Sequence, residues 1–124
     1  RLATLVSIAP YERLKAWQLC HQLTVAVYDA TGGWPRHELF GLTSQARRAA
    51  HSAAANIAEG SAKRGPREFR RYLDISLGSL SELSYTLLLA RDLAFFPIEQ
   101  WAVLNELREK TGGLVWLLYR SLRT

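Results

Sequence analysis

The sequence predicts an all-α chain folded as an antiparallel up-down-up-down four-helix bundle, and three observations carry that expectation. Apolar residues recur at three- and four-residue steps in four segments, the period of one helix face, and no segment sustains the alternation of a strand. Short punctuation, "GGWP", "RGP" and "FFP", divides the segments, and connections of this length join antiparallel neighbours. The chain is 124 residues long and 48% apolar, enough for one domain with an ordinary core and no disulfide or metal staple.

The bundle domain is expected over residues 11–124, after a poorly ordered N-terminal extension of residues 1–10. The first helix is expected from Tyr11 to Thr31, with Leu14, Trp17, His21, Thr24 and Tyr28 inward and Leu19, Leu23, Val25 and Val27 widening that face. His21 then reads as a core histidine. Gly32 and Gly33 supply a left-handed terminus, Pro35 blocks continuation, and Trp34 lids the bundle end. Thr43 or Ser44 caps the second helix, whose stripe of Ala46, Ala49, Ala50, Ala53, Ala54 and Ile57 admits a close neighbour.

Pro66 and Glu68 open the third helix. Its residues Phe69, Leu73, Ser76, Leu80, Leu83, Leu87, Ala90 and Ala94 hold the alternating four- and three-residue spacing of a bundle seam, and Gly78 marks a second close approach. Pro97 starts the fourth helix, with Trp101, Leu104, Thr111, Val115, Leu118 and Leu122 inward and a bend or interruption at Gly112 and Gly113. Trp17, Trp101 and Trp116 read as core or interface residues.

Several functional classes are poorly served by these residues. His21, His37 and His51 have no metal-ligand spacing, the serines lie in no nucleophile-elbow context, and Glu59 and Glu82 read as solvated or arginine-paired. No enzyme activity, metal or cofactor is expected. A single cysteine, Cys20, fits a reducing cytoplasm and reads as a small buried hydrophobe. No apolar run reaches the roughly 18 residues of a membrane span, and the opening ten residues do not read as a signal peptide.

Charge is the informative feature. Between Arg47 and Arg71 stand seven basic residues (Arg47, Arg48, Lys63, Arg64, Arg67, Arg70 and Arg71) and two acidic ones (Glu59 and Glu68), a surplus equal to the +5 of the whole chain. Gly60 and Gly65 have the spacing of half a P-loop, but Pro66 and Arg67 stand where Lys and Ser or Thr would hold phosphate and magnesium. The stretch "EGSAKRGPREFRR" therefore reads as a corner between two helices. Lys63 and Arg64 complement the end of the second helix dipole, whereas Arg67, Arg70 and Arg71 oppose the positive end of the third. They share an outward face with Asp74, a suitable i, i+4 partner for Arg70. Such a group beside free helix-terminal amides suits a polyanion. Tyr72 either stacks on a base or packs on a neighbouring helix or subunit.

The runs "GLTSQ" with Arg47 and Arg48, "NIAEG", and "REFRRYLD" leading into "GSLSEL" resemble, in order, the four-helix-bundle family encoded in intervening sequences of bacterial 23S rRNA genes. The resemblance covers residues 11 to 96, with Ala54, Gly65-Pro66 and Trp34 as departures. It implies a cytosolic bundle without established enzymatic activity. Distant relatives of that family are accessory proteins of reverse transcriptases in diversity-generating retroelements and form basic five-membered rings that bind nucleic acid and the polymerase, so the resemblance implies a reverse transcriptase as a partner by family analogy only. The matching positions here are Arg47, Arg48, Asn56, Glu59, Arg67, Arg70 and Arg71. The resulting expectation is a homo-oligomer, a pentamer by that likeness, presenting the seven basic residues to nucleic acid, RNA above all. The alternative is a scaffold module whose arginines serve subunit or acidic-partner contacts.

Overall fold

Pro10 fixes its own φ and opens a short 3-10 turn, Pro10–Arg13, in which Glu12 Oε2 accepts the Ala9 amide at 2.8 Å. Leu14 is then extended, so helix α1 runs Lys15–Thr31 and not from Tyr11. The computed structural model describes residues 9–122. The expected extension thus lies outside the described residues except for Ala9 and Pro10, which belong to this turn. A second 3-10 turn, Arg36–Glu38, precedes α2 (Leu42–Ser61), and α3 (Pro66–Asp92) and α4 (Ile98–Ser121) follow. No strand occurs among the described residues.

Each helix packs on its neighbours in sequence and α4 closes on α1, while the backbones of the diagonal pairs stay apart. The four axes therefore form a square in section, the expected up-down-up-down bundle. The α2/α3 groove and the α1/α4 groove thus lie on opposite faces.

The buried stripe of α1 is Ala16, Cys20, Leu23, Val27 and Ala30, rotated from the expected one. Val25 and Tyr28 are exposed, and His21 is a surface residue stacked on half-buried Trp17 with ring centroids 5.1 Å apart. The large residues misled because α1 faces alanine-rich α2, where small side chains make the contact. Thr24 Oγ1 bridges the two helices, donating toward the carbonyls of Cys20 (2.8 Å) and Ala50 (3.1 Å).

Cys20 is fully buried at this seam, and loss of hydration there pushes its thiol up to about 12, against the lowering effect of a Ser76 hydrogen bond. Unfolding returns it to an ordinary value, so it binds fewer protons than the native state above pH 9 and stability falls as pH rises from there. At neutral pH the native thiol should resist an aromatic disulfide reagent and react only at the rate of unfolding. Rapid stoichiometric labelling without denaturant would contradict this burial.

Termini follow different rules from those expected. Gly32 is right-handed (φ −60°), and Gly33 is not at positive φ either; α1 ends by Thr31 Oγ1 bonding back to the Val27 carbonyl at 2.8 Å. The left-handed terminus belongs instead to Ala94 (φ 60°), which lies past α3 and is exposed, off the predicted seam. Its amide bonds the Arg91 carbonyl and that of Phe95 the Ala90 carbonyl, both at 2.9 Å, a Schellman motif with alanine in the glycine place. A left-handed Cβ costs about 1–2 kcal/mol. Ala94→Gly should therefore raise the melting temperature by about 4 °C by calorimetry.

Trp34 does lid the bundle, buried with ring centroids 5.9 Å from Phe95 and 5.2 Å from Phe96. Helix α2 is capped at Gly41 and not at Thr43 or Ser44; Glu38 Oε1 reaches forward to the Leu42 amide at 2.9 Å. Its alanine stripe is buried as expected, and α2 and α3 are the most closely packed pair. Ser76 Oγ donates to the Ala53 carbonyl at 2.8 Å, and the hydroxyls of Ser52 and Ser79 meet at 2.8 Å. Gly60, not Gly78, marks the close approach, because a Cβ on Gly78 would meet open space. Helix α4 runs unbroken through Gly112 and Gly113, burying Leu104, Thr111 and Val115. Trp116 is 49% exposed, so it is not a core residue.

Candidate functional site

The corner between α2 and α3 is made by two glycines with different duties. Gly65 has φ +85° with nothing near its missing Cβ, so its role is conformational, reversing the chain where side chains rarely follow. Gly60 is buried, and a Cβ there would stand 2.7 Å from Tyr72 Cβ and 2.9 Å from Phe69 Cδ1. It lets the start of α3 sit directly on the end of α2. Pro66 then occupies the first helical position without sacrificing a hydrogen bond.

Arg67, Arg70 and Arg71 occupy the first turns of α3 as expected and border one surface depression with Glu68, Asp74 and Tyr119. Their environments differ. Arg67 is exposed and in no ion pair among the described residues. Arg71 is exposed and paired with Glu68, Nη2 to Oε1 3.1 Å, which holds its guanidinium still more firmly protonated. Arg70 does not point outward: it is half-buried, with Cζ 4.3 Å from the centre of the Tyr119 ring on α4. Its Nε is buried without a hydrogen-bond partner, and the anticipated Arg70–Asp74 ion pair is not formed.

Tyr72 resolves toward packing. It lies against Gly60, with Lys63 Nζ 5.4 Å and Arg71 Cζ 4.8 Å from its ring centre. The ring gathers two cations that the helix dipoles alone would not bring together. Arg64 is exposed in the turn between the helices.

Arg47 and Arg48 lie elsewhere, about 20 Å of helix at 1.5 Å per residue before the end of α2 that Lys63 follows. Arg47 is committed to the fold: Nε donates to Thr31 Oγ1 at 2.9 Å, and Cζ lies 4.7 Å over Tyr28. Arg48 is exposed beside Phe40, Gln45 and Glu82 in the α2/α3 groove. The basic window is continuous in sequence and divided in space. Glu82 belongs to this second end, and both it and Glu59 are exposed and in no ion pair among the described residues. Asn56 is structural, its Nδ2 donating to the Ser52 carbonyl at 2.8 Å.

Two residues escaped the sequence reading. Tyr119, the platform under Arg70, has only its four-residue step from Val115 as a signal. Phe40 is 93% exposed, and an aromatic in a loop between two periodic segments was its visible mark. Among the described residues no three His, Cys, Asp or Glu side chains converge as a metal site requires, and no helix is long and apolar enough to cross a membrane.

Fold and surface together define a small basic four-helix-bundle protein. The chain belongs to the 23S rRNA-intervening sequence protein family, whose model matches residues 12–116. Its fold is similar to the crystal structure of a protein of unknown function from the S23 ribosomal protein family of Bacteroides thetaiotaomicron. That likeness has a TM-score of 0.72 at 21% identity over 81% of this chain and 94% of the other, and it speaks to fold alone. No curated protein matches the sequence.

Proposed function

We propose that the chain is a non-enzymatic, cytoplasmic, self-assembling bundle that binds structured RNA through the corner between α2 and α3. The observation that carries this reading is the depression bordered by Arg67, Arg70 and Arg71 at the positive end of a 27-residue helix. Cations there are disfavoured by a few tenths of a kcal/mol each, so stability of the helix is not their reason. A phosphate placed among them would meet three guanidinium groups at the N-terminal end of the helix, where backbone amides lack helical partners. Lys63 and Arg64 extend the same positive surface, and assembly as a ring would repeat it around an axis.

A scaffold role has its own support. Arg70 on Tyr119, Arg71 on Glu68 and Arg47 on Thr31 show guanidinium groups spent on intramolecular contacts. Replacing Arg67, Arg70 and Arg71 together by glutamine separates the two readings. RNA binding at the corner requires a weaker and less salt-dependent complex, whereas a scaffold leaves retention of structured RNA at two salt concentrations unchanged.

A further inference from the structure

We infer that copies of this chain join head to tail, with Phe40 of one copy seated in the apolar depression between α1 and α4 of the next. The inference rests on the self-assembly in the reading above and names its contact.

Phe40 is the most exposed large hydrophobic residue among those described, at 93%, where a phenylalanine ordinarily buries about 150–250 Å². It stands beside the α2/α3 groove. On the opposite face, Ala26, Ala30, Val103, Leu104 and Leu107 line a mainly apolar depression whose Val103 is 73% exposed. Knob and hole lie on opposite sides of the square of helices, so neither can satisfy the other within one copy. A contact between unlike faces is heterologous and propagates until a ring closes.

Charge favours the same pairing. Arg48, beside the knob, has no carboxylate partner in its own chain among the described residues, and Glu82 lines its groove without reaching it. Asp29, at the edge of the hole, likewise has no cation partner there. Glu99 stands four residues before Val103 on the same side of α4 and has no cation partner among the described residues, whereas Glu106, three residues after it, pairs with Lys110 at 3.4 Å. Docking Phe40 brings Arg48 toward that acidic rim. The side chain alone falls short of the roughly 800 Å² per partner of a stable interface, so the groove walls must contribute.

The test uses Phe40→Ala and Val103→Arg, two changes at exposed positions, with circular dichroism as the check on folding. By sedimentation without RNA the wild type should run as a multiple of the 14.0 kDa chain, and each variant as a single chain. Mixed one to one, they should form a species of twice the single-chain mass and no larger, since the knob of one still fits the hole of the other. A single-chain wild type, a variant of wild-type mass, or a mixture that stays monomeric would each overturn the proposal. The triple-glutamine variant should keep its assembly, so loss of RNA binding and loss of assembly are read separately.

Discussion

Gly60→Ala should destabilise the protein by roughly 1–2 kcal/mol, although the same change inside a helix normally stabilises. Alanine is favoured over glycine in a helix interior by up to about 1 kcal/mol. Against that gain stands a Cβ 2.7 Å from Tyr72 Cβ and 2.9 Å from Phe69 Cδ1. The Phe69 ring can turn aside. Tyr72 Cβ cannot, because it is fixed to the backbone of α3, so the two helices must part at the corner. Overpacking of this kind costs about 1–3 kcal/mol.

Gly78→Ala is the internal control. That position is exposed with nothing within 4 Å of an added Cβ, so only the propensity gain applies. Urea titrations should move the two midpoints in opposite directions with equal slopes. Midpoints that shift the same way would remove the close approach of α2 and α3 from the explanation. If RNA occupies the corner as proposed, Gly60→Ala should also loosen its binding, since the displaced start of α3 carries Arg67, Arg70 and Arg71.

These glycines show where the sequence was legible. The four helices followed from period and punctuation because each buries one stripe, and the alanine run of α2 correctly announced a close neighbour. Which glycine made room for that neighbour was invisible, since Gly60 and Gly78 differ only in what lies opposite. The face of α1 was misjudged for a related reason: Ala16, Cys20 and Ala30 are inward because the partner helix is close, and size suggested Trp17, His21 and Tyr28. Handedness was exchanged between Gly32 and Ala94, because a residue's φ is set by the hydrogen bonds of the terminus it closes. The basic window was legible as charge but not as geometry, since its first arginines lie in the second turn of α2 and its last lie beyond that helix's far end.

That division sets the second large effect. Replacing Arg67, Arg70 and Arg71 by glutamine should weaken structured-RNA binding on the order of 10²-fold at about 0.1 M salt, if each guanidinium meets one phosphate. Each lost phosphate contact lowers the salt slope of the affinity by roughly 0.7–0.9 unit, so three flatten it by about 2–3. The three should not contribute equally. Arg67 has no ion pair to break and should account for a full contact. Losing Arg71 also frees Glu68, whose charge then repels the ligand, and should cost more than one contact. Arg70 is held over Tyr119 at 4.3 Å, so Arg70→Lys, which keeps the charge and loses the planar stack, should weaken both RNA binding and the α3/α4 contact. Arg48→Gln locates the boundary of the surface. Exposed and at the other end of α2, it should leave the slope unchanged when RNA occupies the corner of a single copy. A change of about one unit would mean that assembly brings the two basic ends onto one RNA.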